Sequence, residues 1–212
     1  KHAMLIQHWQ MGHTQTVWNI RQNPRVIQPF ADMWEVEPHD LLCSFDGLSF
    51  HLPPEKTHRG WWRQDWLHTD QSYTRNNLEC IQSWVTAQEV CEGDATLTFL
   101  KGSHRFHEAT AKHFGITETS DWNKITPEMC QFYQTEYKCP HECIKCPAGS
   151  MVLWDSRTIH CGRGPVKGRS HESTRCIVYV CMTPRSKATP ANLRKKINIA
   201  SEVLGEELKS WI

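Results

Sequence analysis

Short runs of alternating apolar and polar residues, Gly- and Pro-marked turns between them, and helical patterns at both ends predict a mainly β protein. These features describe an antiparallel sandwich or barrel framed by helices rather than a βαβ sheet. The 212 residues fit one domain with decorations, at roughly 150 residues per domain. Neither GxGxxG nor GxxxxGK[ST] occurs, which disfavours the folds that cradle nucleotide phosphates.

The first forty residues read as helical. Asn23-Pro24 supplies an N-cap followed by proline at the first helical position, and Val26, Ile27, Phe30, Met33 and Trp34 recur on one helical face. Pro29 weakens the start of that helix. From Leu41 the period drops to two, so Leu42–Leu52 reads as a strand with Leu48 and Phe50 on one face, ended by Pro53-Pro54. Cys80–Val90, Ala95–Leu100, Met151–Trp154 and Arg175–Met182 read as further strands. Thr126-Pro127-Glu128 opens a helix carrying Met129, Phe132 and Tyr133, and Thr189-Pro190 opens another that is expected to run on into Glu202–Trp211. The single domain 1–212 thus divides into a helical support at 1–40, a β core at 41–184 and a helical extension at 185–212.

Composition narrows the function classes. With 24 Lys+Arg against 23 Asp+Glu, a net charge of +1 provides no field to draw the chain onto nucleic acid or an anionic membrane. The longest apolar run, Cys176–Met182, is far short of the ~18 residues that a membrane span needs. Ten cysteines fall below the density of a disulfide scaffold, and the opening residues have too short an apolar stretch for a signal peptide. The expectation is an intracellular, cytoplasmic protein with reduced thiols, a small-molecule substrate, and no nucleic-acid or membrane partner. The surplus of 13 His and 10 Trp remains to be explained.

Trp66-Leu-His68-Thr-Asp70 is the most informative segment. On a strand, residues i and i+2 share a face, so His68 and Asp70 offer an imidazole and a carboxylate side by side. Trp154-Asp-Ser-Arg-Thr-Ile-His160 brings a second histidine to a strand end. Two His and one carboxylate with open positions is the ligand set of non-haem Fe(II) oxygenases. Alone, HxD is a weak signal in a chain with 13 His.

Context sharpens it. After the HxD come Gln82-Ser-Trp84 on a strand, Gly93-Asp-Ala and a strand into Gly102-Ser-His104, then His160 and a following arginine. In this order the sequence resembles the phytanoyl-CoA dioxygenase-like family of Fe(II)/2-oxoglutarate oxygenases, over about Leu41 to Pro184. The resemblance implies a double-stranded β-helix, a jelly-roll core with flanking N- and C-terminal helices. It implies His68, Asp70 and His160 as iron ligands, with 2-oxoglutarate and O2 as co-substrates and hydroxylation with release of succinate and CO2 as the outcome. Arg175 would bind the distal carboxylate of 2-oxoglutarate, Trp84 would line the co-substrate pocket, and Gln82 would lie near it. Two positions depart from the family pattern. Fifteen positions separate His160 from Arg175, longer than usual, and Arg169 in the intervening loop is the rival for the carboxylate. Gly162 stands where a small hydroxyl residue often follows the distal histidine.

Other signals carry less. Cys139, His141, Cys143 and Cys146 pack four soft ligands into eight residues, a candidate structural zinc site without the paired CxxC spacing. Trp61, Trp62 and Trp66 are candidates for a substrate-pocket wall, with local packing as the plainer reading. His104 belongs to a strand-to-helix turn and is read as structural. The basic stretch from Arg185 to Lys196 reads as a solvated helix face. Two rival functions share the fold: a cupin-like metal enzyme that does not use 2-oxoglutarate, and a non-catalytic jelly-roll binding or sensing protein.

Overall fold

Two antiparallel sheets face one another in the computed structural model of the chain, which describes residues 5–61 and 65–204. The first contains β1 (Leu41–Cys43), β2 (Leu48–His51), β4 (Ile81–Thr86), β8 (Met151–Asp155) and β10 (Arg175–Pro184), in the order β1-β10-β4-β8 with β2 also paired to β10. The second contains β3 (His68–Thr69), β5 (Thr96–Leu100), β6 (Asn123–Lys124), β7 (His141–Cys143) and β9 (His160–Arg163), in the order β6-β3-β9-β5-β7. Around them lie α1 (Gln15–Arg21), α2 (Pro24–Trp34), the single turn α3 (Pro54–Thr57), α4 (His107–Phe114), α5 (Pro127–Thr135) and α6 (Pro190–Leu204). This is the double-stranded β-helix with flanking helices that the sequence implied. Among the described residues, no helix is long and apolar enough to cross a membrane.

Alternation along β10 sorts the layers. Val178, Val180 and Met182 point to one side, where they pack with Ile81 of β4 against Val17 of α1 and Val26 and Phe30 of α2. Ile177 points to the other, into the space between the sheets, and meets Trp84 and Leu97 there. The outer side of the second sheet is covered separately: Leu67, Leu100, Ile159 and Cys161 pack on Met129 and Tyr133 of α5. Burial of a side chain such as Phe30 contributes about 1.5–3 kcal/mol. The α2 start behaves as expected, because the Asn23 side chain accepts the Arg25 N–H at 2.9 Å and caps the first turn.

The segment 42–52 is not one strand. Its two pieces both pair with β10, β1 opposite 182–184 and β2 opposite 175–178. Between them Gly47 packs against the N-terminal segment so closely that a Cβ would fall 2.2 Å from the Ile6 carbonyl oxygen. Leu48 reaches the cluster under α1 and α2, whereas Phe50, one pleat further, is 49% exposed. α6 ends at Leu204 in the described residues, so most of the expected run to Trp211 lies outside them.

Candidate metal centre

His68 and His160 are direct partners in the β3–β9 register. Opposed residues on neighbouring strands point to the same face, and here both rings enter the space between the sheets, with centroids 4.6 Å apart. Asp70 follows one residue past the end of β3, where its backbone N–H donates to the Ser156 carbonyl at 3.1 Å. Its Oδ1 stands 3.5 Å from His68 Nε2 and its Oδ2 3.3 Å from His160 Nε2. For ligands about 2.1 Å from a divalent cation, right-angle geometry gives separations of about 3.0 Å and tetrahedral geometry about 3.4 Å. The observed spacing is of that order.

The hydrogen bonds behind the rings fix which nitrogen faces the centre. His68 Nδ1 lies 3.1 Å from the Trp66 carbonyl and His160 Nδ1 2.8 Å from the Thr158 carbonyl. A carbonyl only accepts, so each Nδ1 carries a proton and each ring turns Nε2, the atom that can ligate a cation, inward. Two Nε2 atoms and a carboxylate then converge, and without added positive charge only acceptors would face one another. A positive charge, as protons or a cation, resolves that arrangement. Burial alone pushes the Asp70 carboxyl up, but hydrogen bonding and charge from His160 and His68 outweigh it and hold the group below the usual carboxylate range. The His side chains are about 5% exposed while Asp70 is 27% exposed, so the carboxylate marks the side open to solvent. Trp66 stacks on His68 at 4.6 Å and donates its indole N–H to the Gly162 carbonyl at 2.9 Å. Trp122 lies 5.5 Å from the same imidazole, and its N–H donates to the Asp70 carbonyl.

Between the sheets, away from this opening, the remaining candidate residues line up in register. Gln82 opposes Trp154 and Cys181, and Trp84 opposes Val152 and Tyr179. Arg175 opens β10 and its guanidinium carbon stands 6.0 Å from the Trp84 ring centre. Four polar atoms here are buried without a protein partner: Gln82 Oε1, Trp84 Nε1, Trp154 Nε1 and Arg175 Nε. Three are donors. A buried donor without an acceptor costs about 1–3 kcal/mol, and three such donors on one face of the first sheet suit an anionic ligand with several oxygens. Trp154 escaped the sequence reading, although its alternation with Val152 and its place beside Gln82 put it on the same face.

Arg169 is differently engaged. Its Nε and Nη2 donate to the two Glu55 oxygens at 2.8 and 2.9 Å, its Nη1 to Asp94 Oδ1 at 2.8 Å, and Nη2 also to the Ser173 carbonyl. Two carboxylates saturate this fork. Arg175 makes one such bond, Nη1 to the Ala95 carbonyl at 3.0 Å.

The four-residue zinc candidate does not assemble. Cys139 is buried in the cluster beneath the second sheet and Cys146 packs between the sheets. His141 Nε2 is hydrogen-bonded to Thr98 Oγ1 at 2.6 Å. The pattern is a β-strand with its flanks: alternation and the turns on either side send the four ligands to different layers. Trp61 lies under Lys167, 5.5 Å from its Nζ, in the region of the loop before Arg175, and Trp62 falls outside the described residues. His104 lies in the turn Ser103–Phe106, whose Ser103 hydroxyl accepts the Ile159 N–H at 2.9 Å. In the basic stretch, Lys187 covers the Trp34 ring at 3.8 Å and Lys196 covers Phe45 at 3.5 Å, so these cations pack on the protein itself.

No protein-family model matches the chain. The Ava biosynthesis cluster protein O of Aspergillus versicolor is 29% identical over 193 residues, 88% of this chain and 60% of that protein. The chain therefore spans about three fifths of the length of that relative. Among solved structures, EctD from S. alaskensis with 2-oxoglutarate and 5-hydroxyectoine superposes over 85% of this chain and 61% of that one, with a TM-score of 0.53 and 11% identity. The epimerase SnoN in complex with Fe3+, alpha-ketoglutarate and nogalamycin RO covers 81% of this chain and 60% of its own, with a TM-score of 0.50 and 15% identity. What is shared is the fold.

Proposed function

We propose that the chain is a non-haem Fe(II)- and 2-oxoglutarate-dependent dioxygenase that hydroxylates a small-molecule substrate with release of succinate and CO2. The observation that carries this reading is the convergence of two oriented Nε2 atoms and the Asp70 carboxylate. The resemblance of the motif order to the phytanoyl-CoA dioxygenase-like family supports it. So does the iron and 2-oxoglutarate bound by solved proteins of the same fold.

In this reading His68, Asp70 and His160 hold Fe(II), which supplies O2 activation coupled to oxidative decarboxylation of 2-oxoglutarate. The chain's residues supply geometry. The Trp66 and Thr158 carbonyls lock both imidazoles in the tautomer that can ligate. Arg175 receives the distal carboxylate through its unpartnered Nε edge, and Trp84 and Trp154 offer unpartnered indole N–H groups on the same sheet face. The packing of Trp84, Leu97 and Ile177 keeps bulk water from the co-substrate end. Asp70 would supply a carboxylate ligand that related halogenases lack, which favours hydroxylation. The test is anaerobic spectroscopy: Fe(II) with 2-oxoglutarate should give a weak visible charge-transfer band that His68→Ala and Asp70→Ala both lose. A normal band in both variants removes the ligand assignment, and failure to form succinate or bind 2-oxoglutarate favours a cupin-like metal enzyme.

A further inference from the structure

The loop between β9 and β10, residues 164–174, carries the chain from His160 to Arg175 without regular secondary structure, yet it is pinned from both sides. Arg169 is 1% exposed at its side chain and lies between Glu55 of α3 and Asp94 of the turn before β5. The second Asp94 oxygen accepts from the Ser173 hydroxyl at 3.0 Å and the Cys91 N–H at 2.8 Å, and stands 3.3 Å from His171 Nε2. Val166 N–H donates to the Gly93 carbonyl at 2.8 Å. Next in that same turn, the Ala95 carbonyl holds the Arg175 guanidinium. The tripeptide Gly93-Asp94-Ala95 therefore grips both the loop and the head of the arginine that follows it.

Contact is tightest at Gly93, where φ is +83° and an added Cβ would lie 2.9 Å from Arg169 Cβ. Burying one cation between two carboxylates is a poor route to stability, because desolvation offsets much of the attraction. Such a network is better suited to fixing geometry. What it can fix is the start of β10, since Ser173 is bonded at both its carbonyl and its hydroxyl and lies two residues before Arg175.

We propose that Glu55, Asp94 and Arg169 form a latch that positions Arg175 for the distal carboxylate of 2-oxoglutarate. The proposal rests on the reading of Arg175 given above. Arg169 is then a positioning residue, and its loss acts through Arg175.

The experiment measures equilibrium binding of 2-oxoglutarate to the anaerobic Fe(II) protein, with Fe(II) affinity followed separately by competition with a chelator. Arg169→Gln should weaken 2-oxoglutarate binding about 10–100-fold, the range typical of partners that orient a binding group from behind, with Fe(II) affinity unchanged. Asp94→Asn, which keeps shape and one acceptor oxygen but removes the charge and turns the other oxygen into a donor, should weaken 2-oxoglutarate binding in the same direction, and it carries the test if Arg169→Gln does not fold. In an Arg175→Lys background, Arg169→Gln should add less than about twofold, because coupled residues are not additive. Wild-type affinity in both single variants, losses that multiply fully with Arg175→Lys, or a parallel fall in Fe(II) affinity each overturn the latch. A wild-type chain that binds Fe(II) but no 2-oxoglutarate overturns the functional reading itself, and the latch with it.

Discussion

Arg175→Met tests the co-substrate end of the site with the least disturbance of packing. Methionine fills much of the volume of the arginine stem beside Trp84 but carries neither charge nor donor. On the protein side the change removes one hydrogen bond, from Nη1 to the Ala95 carbonyl, worth about 1 kcal/mol. It also removes a buried Nε that has no protein partner, which offsets part of that loss. Folding stability should therefore move by no more than about 1 kcal/mol. Binding should move much further. The free Nε edge, with Nη2, can give a carboxylate two charge-assisted bonds of about 1.5–3 kcal/mol each. At 1.4 kcal/mol per decade, losing roughly 3–6 kcal/mol raises the Kd for 2-oxoglutarate by about two to four orders of magnitude. Calorimetric titration of the anaerobic Fe(II) protein reads the affinity, and a thermal melt of the metal-loaded protein reads stability. A Kd within threefold of wild type, with the protein folded, would show that the carboxylate is held elsewhere.

Metal binding should raise the melting temperature: at a hundredfold excess over Kd a cation adds about 2.7 kcal/mol, and differential scanning calorimetry should find that increment in the wild type but not in His160→Ala. Lys196 provides a pH test. Burial, with a smaller push from Arg21, lowers its ammonium to about 8, below the unfolded value. Between pH 8 and the unfolded pKa the unfolded chain binds the proton that the folded chain has released, so this group makes stability rise with pH there. Below pH 8 both states are protonated and its contribution is flat. Urea titrations across that window should show a shallower rise in Lys196→Met. Phe30→Ala removes a fully buried ring from the cluster under the first sheet and should cost about 3–5 kcal/mol in chemical denaturation; a matching fall in Fe(II) affinity would contradict the separation of that cluster from the centre.

Local chemistry was legible where one short-range rule governs it. Asn23 caps α2, and Thr126 caps α5 by accepting the Met129 N–H. The i, i+2 relation of His68 and Asp70 was legible as a pair, although Asp70 lies just past β3 and owes its place to the Ser156 carbonyl and the Trp122 backbone N–H. Long-range arrangement was less legible. No local signal says that Leu42–Leu52 must break at Gly47, because the atom that forbids a side chain there belongs to Ile6. The cysteine-rich segment was dense in sequence but dispersed in space, since alternation and strand ends divided it between two packing layers. Trp154 and the Glu55–Arg169–Asp94 network emerge only when strands far apart in sequence come into register. The rivalry between Arg169 and Arg175 was a question of partners, and partners are a property of the fold.

β3 is only two residues long, and it joins the Asp70 segment to a sheet whose next strand, β9, is distant in sequence. A cation shared by His68, Asp70 and His160 would tie those segments together only in the folded chain, so that opening either strand must first release it. Without the cation, only the short β3–β9 register and the contacts of Asp70 with the two rings hold that seam. Amide hydrogen exchange should therefore be fastest to respond along β3 and β9 when the metal is removed, with the helix-covered face of the first sheet unchanged.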